Sequence, residues 1–115
     1  MDVYLKKMRK LCFSFPEISE RTSHGYPCFF FRDKKVLAMY RPNEEPSAIW
    51  CPAEPGALET WRQMEAEMFY YPPYFGPRGW LGIKLTSESD WDLIYSAIRF
   101  AFIKITPKKI SETLE

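Results

Sequence analysis

Between Tyr70 and Leu85 the chain reads YYPPYFGPRGWLGIKL, and this stretch restricts the fold more than any other. Pro72, Pro73 and Pro77 fix φ and remove backbone donors, so neither a helix nor an interior strand can run through residues 72–77. A shaped surface loop is required there. Beyond it, Trp80–Leu85 is left as a short strand, with Leu81, Ile83 and Leu85 alternating against Gly82 and Lys84. Surface loops of fixed shape often carry binding groups, and this one is entered by four aromatic residues, Tyr70, Tyr71, Tyr74 and Phe75.

The remaining periodicities place elements on either side. Residues 2–14 form an amphipathic helix, with Tyr4, Leu5, Met8, Leu11, Cys12 and Phe15 on one side, Lys6, Lys7, Arg9 and Lys10 on the other, and Pro16 as terminator. The polar segment EISERTSHGYP reads as a linker, with His24 in a turn or at a strand mouth. Residues 28–31 and 35–41 form a hairpin turned at Arg32-Asp33-Lys34. Alternation in its second strand puts Val36, Ala38 and Tyr40 on one face and Leu37, Met39 and Arg41 on the other. Ala48–Cys51 is a third strand, and residues 57–68 a second helix with Leu58, Trp61, Met64 and Met68 as its buried stripe. Phe69–Tyr71 is either a short strand or the helix exit. Residues 90–105 form the last helix, with Ser89 and Asp92 as its capping pair and a broad apolar face from Trp91 to Ile105 that includes Tyr95. The order predicts an α+β fold: a single antiparallel sheet of four to five strands with helices packed on one face. Residues 1–107 are expected to be one domain and residues 108–115 a polar tail.

Composition narrows the function classes. No apolar run approaches a membrane span, and the N-terminus mixes charges among its apolar residues, so no signal peptide is expected. Cys12, Cys28 and Cys51 are odd in number and widely spaced, which fits a reducing cytoplasm and not a disulfide framework. With one histidine and no CxxC pair, no metal site and no cofactor are expected. The net charge of +1 is weak support for a polyanionic partner, but residues 1–45 hold nine Lys or Arg against six acids.

Several local patterns, in order, resemble the MmcQ/YjbR-like family (DUF419). They are Phe15-Pro16-Glu17 with Glu20; His24-Gly25 and Phe30 with Lys34 or Lys35; Pro73-Tyr74, Gly76, Gly79-Trp80 and Leu85; and Asp90-Trp91 with Ile94 and Ala97. The resemblance covers roughly residues 3–107 and implies a fold similar to frataxin. It also implies DNA binding, by likeness of shape to a double-wing domain. Phe15, Glu17 and Asp33 depart from the family pattern, Asp33 by putting a negative charge in the presumed wing. The family supplies no catalytic set, and a helix carrying Lys6, Lys7 and Lys10 lacks frataxin's acidic ridge.

Two functions follow as alternatives. A non-catalytic double-stranded DNA binder would use phosphate contacts from Lys6, Lys7, Lys10, Arg32, Lys34, Lys35 and Arg78. An interaction or small-ligand module, serving a protein partner or a second copy, would use His24, Tyr71, Tyr74, Arg78 and Trp80. Catalysis is not expected, because His24 and Cys28 have no visible partner for acid–base or nucleophilic work.

Overall fold

A side-chain carboxylate starts each of the two long helices in the computed structural model, which describes residues 2–73 and 79–114. Asp2 accepts from the backbone N–H of Leu5 at 3.1 Å and opens α1 (Val3–Cys12). Asp90 accepts from the N–H groups of Asp92 and Leu93 and opens α3 (Trp91–Ile105). The cap is therefore Asp90 and not the expected Ser89, whose Oγ accepts from the N–H of Thr86 instead. Between them lies α2 (Ala57–Met64), shorter than expected because Glu65 is already extended. A short α4 (Lys108–Ser111) follows, and Ile110 and Leu114 pack against the core.

Among the described residues the sheet has six strands: β1 (Ile18–Ser23), β2 (Tyr26–Phe31), β3 (Lys35–Arg41), β4 (Ala48–Cys51), β5 (Phe69–Tyr70) and β6 (Leu81–Lys84). They lie in the order β1-β2-β3-β4-β6-β5, every neighbouring pair antiparallel. The expectation of four to five strands missed β1. Its sequence ISERTS carries no apolar alternation, because it is an edge strand with one neighbour and little to bury. His24 and Gly25, both at positive φ, close the two-residue turn that joins it to β2.

One face of the sheet is covered. Phe29, Phe31, Tyr40, Ile49, Phe69, Leu81 and Ile83 meet Met8 and Cys12 of α1, Leu58 and Trp61 of α2, and Ile94, Ile98 and Phe102 of α3. Strict alternation in β3 fails at Leu37. Phe30 pairs with Val36 and Phe29 with Ala38, so Leu37 is the extra residue of a bulge and turns into the core beside Ala38. Two residues assigned to buried faces are not buried: Met64 is 61% exposed and Tyr95 38%. No helix among the described residues is long and apolar enough to cross a membrane.

Candidate functional site

The other face of the sheet carries no helix, yet it has its own cluster. Cys28, Phe30, Met39, Ala48 and Trp50 are buried there, with Val36, Tyr70 and Trp80 packed against them. Cation and ring contacts cover it. The Arg21 guanidinium lies 3.7 Å from the Phe30 ring centroid, and that of Arg41 lies 3.9 Å from Tyr26 and 4.0 Å from Trp50.

Strand register explains the arrangement. Cys28 pairs with Met39, and the same antiparallel register carries Tyr26 to Arg41 one row on. Ala48 pairs with both Arg41 and Lys84, so those two cations flank a small side chain with backbones roughly 10 Å apart. In the neighbouring row, Trp50 pairs with Gly82 and Gly82 with Tyr70. The Tyr70 ring lies over Gly82, where a Cβ would stand 2.5 Å from Tyr70 Cζ. Only glycine permits that approach, and it brings the Tyr70 hydroxyl to 2.7 Å from Trp50 Nε1, which donates to it. Lys84 Nζ lies 5.9 Å from the Tyr70 ring centroid.

Arg41 is the centre of this face. Its side chain is only 16% exposed, and its ion pair with Glu44, Nη2 to Oε2, is long at 3.4 Å. Its Nε is buried with no hydrogen-bond acceptor among the described residues. A guanidinium carries five donors, and among the described residues only Nη2 of Arg41 meets a hydrogen-bond acceptor, Glu44. Burial pushes the Tyr70 phenol up, opposed by the Trp50 hydrogen bond; Glu44 adds to the rise and Arg41 opposes it. Burial likewise raises the Cys28 thiol, with Arg41 and Arg21 countering it, and a raised thiol is the reverse of what a nucleophile needs.

The expected phosphate-binding residues lie elsewhere. Lys6, Lys7 and Lys10 are exposed on α1, on the helical side, with Lys7 Nζ 5.5 Å from the Trp91 ring centroid. Arg32, Lys34 and Lys35 sit at the β2–β3 tip. Acids interleave the two groups. Glu20 holds Arg9 and Glu17 holds Arg32, both bidentate, and Asp33 accepts from Ser19 Oγ. Of the aromatic patch, Trp80 packs on the helix-free cluster, Tyr71 is 52% exposed, and His24 is exposed in its turn with Nδ1 3.2 Å from Ser23 Oγ. Tyr74 and Arg78 lie outside the described residues. No group of three or more His, Cys, Asp or Glu that could hold a metal ion occurs among the described residues.

Sequence reasoning missed Tyr26, Arg41, Trp50, Tyr70 and Lys84 as a group. The available signal was Arg41, a cation ending a run of residues fit for burial.

Fold and site together define an α+β protein with one antiparallel sheet, helices on one face and a ring-and-cation surface on the other. The chain belongs to the YjbR family, whose model matches residues 13–103. It is similar in structure to Deinococcus radiodurans protein DR2400, described by its DUF419 domain, with a TM-score of 0.75 at 15% identity over 91% of this chain and 80% of that one. That likeness speaks for the fold. No curated protein matches the chain.

Proposed function

We propose that this is a non-catalytic nucleic-acid-binding protein whose recognition surface is the helix-free face of the sheet, with single-stranded nucleic acid as its partner. The observation that carries the reading is Arg41, held between two rings with its buried Nε lacking an acceptor among the described residues. Arg41 and Lys84 supply positive charge for a phosphate, while the half-buried Tyr26 offers a ring on which a base stacks.

A second reading, phosphate contacts to double-stranded DNA, is favoured by one observation. Lys6, Lys10, Lys34 and Lys35 are exposed with no ion pair among the described residues. Arg32 contributes less than expected, being committed to Glu17.

Titrating tryptophan fluorescence with a single strand and with its duplex, at low and moderate salt, separates the two readings. The first expects salt-sensitive binding of the single strand that Arg41→Met abolishes and Lys34→Glu/Lys35→Glu spares. The reverse pattern on the duplex supports the second. No binding of either nucleic acid at low salt overturns both.

A further inference from the structure

Arg9 and Arg32 each hold a carboxylate on the edge formed by Nε and Nη2. Glu20 meets Arg9 at 2.8 Å on both donors, and Glu17 meets Arg32 at 2.8 and 3.1 Å. Such a two-donor edge matches the paired oxygens of a carboxylate or a phosphate. Arg41 presents the same edge half-filled. Its Nη2 reaches Glu44 at 3.4 Å, and its Nε meets no acceptor among the described residues. We propose that this edge is the seat of one phosphate group, and that Glu44 is the displaceable carboxylate whose departure admits it.

The surroundings of Arg41 restrict how a ligand can use it. Tyr26 and Trp50 come from the strands on either side of β3 and lie 3.9 and 4.0 Å from the guanidinium carbon. With rings on its flat faces, the guanidinium offers a ligand its in-plane N–H groups, and those bind oxygen. A buried Nε opens to a ligand only when a neighbour moves. Glu44 is the group placed to do so, because it sits in the loop between β3 and β4 with its side chain 33% exposed. Its side-chain contact with Arg41 and its backbone N–H to the Arg41 carbonyl are both long, at 3.4 Å. Lys84 stands on the far side of Ala48 with no ion pair among the described residues. A second cation so close favours a phosphate over another carboxylate, since a phosphate can carry two charges. This seat rests on the helix-free recognition face proposed above, and Glu44 is the residue that sets its affinity.

Proton–nitrogen correlation spectra of the arginine side chains in the full chain test it, with the Arg41 Nε–H resonance identified by its loss in Arg41→Lys. Inorganic phosphate and a single-stranded oligonucleotide are titrated separately at constant ionic strength, and each should shift that resonance. Glu44→Gln should tighten both ligands by roughly 2- to 5-fold, the scale of one competing, partly exposed ion pair. Glu45→Gln is the control. It makes the same charge change one residue on, at an exposed side chain with no ion pair among the described residues, and should leave affinity nearly unchanged. Equal effects of the two variants overturn the proposal, even where the single strand still binds and the nucleic-acid reading survives. An Arg41 resonance that neither ligand moves also overturns it. Phosphate binding that Glu44→Gln alone tightens, in a chain that binds no single strand, upholds the seat for free phosphate and removes the nucleic-acid reading.

Discussion

Arg41 and Trp50 meet on the helix-free side of the sheet, with guanidinium carbon and ring centroid 4.0 Å apart. The contact orders Arg41 without saturating it: the ring takes the flat face of the guanidinium and leaves the N–H edge for other partners. Opposing effects then decide what the side chain contributes to stability. Cation–π contacts on two rings are worth about 1–2 kcal/mol each when partly desolvated. An unsatisfied buried donor costs about 1–3 kcal/mol. The two nearly cancel, so Arg41→Met, which keeps the stem, should move unfolding free energy by less than about 1 kcal/mol while removing ligand binding. Urea titration checks the first half, and a loss above about 3 kcal/mol would make Arg41 a structural residue.

Gly82 and Tyr70 form a second coupled pair. Gly82→Ala forces the Tyr70 ring off the strand and should cost about 1–3 kcal/mol, as overpacking does. It should also break the 2.7 Å Trp50–Tyr70 hydrogen bond and shift tryptophan emission. Tyr70→Ala in the same chain removes the clash, so the double variant should lose less than the sum of the singles. Strict additivity in denaturant would show that the ring does not bear on this glycine.

Asp2 does two tasks. It caps α1 through Leu5 and accepts from the buried Tyr40 hydroxyl at 2.7 and 2.8 Å, tying the helix start to the middle of the sheet. Losing a cap costs about 1 kcal/mol, and a hydrogen bond to a charged group is worth about 1.5–3 kcal/mol. Asp2→Ala should therefore destabilise by about 2–4 kcal/mol, and Tyr40→Phe by less. A double-mutant cycle with coupling indistinguishable from zero would refute the link.

Folding suppresses ionisation of two core thiols. Burial raises Cys12, helped by nearby Cys51, and pushes Cys51 up to about 12. A raised folded value means that the stabilisation is complete below the unfolded thiol value of roughly 8.5 and is lost as pH climbs from there toward the folded value. Stability should fall above about pH 9 by up to ~1.4 kcal/mol per pH unit per thiol. Replacing Cys51 with Ala should flatten that slope. Denaturant midpoints between pH 7 and 10.5 read it directly, and a flat wild-type profile would contradict the assignment.

How far the sequence alone carries can be judged residue by residue. The helices over residues 3–12 and 91–105 and the hairpin at residues 32–34 were legible, because periodicity and turn position are local properties. β1 was not, since ISERTS becomes a strand only through the edge of β2. Met64 was misassigned because a helical stripe can face the core or an open groove, and the sequence pattern is identical in both cases.

The loop prolines, the amphipathic faces and the ordered family motifs determined an α+β chain with helices on one side of a single sheet. Only the tertiary structure decided what the other side presents. Arg41, Tyr26, Trp50, Tyr70 and Lys84 come from five different strands, and no spacing in the sequence joins them. Strand order and register do, by setting Ala48 between two cations and Gly82 beneath a tyrosine ring. Those are non-local pairings fixed by the packing of the whole sheet.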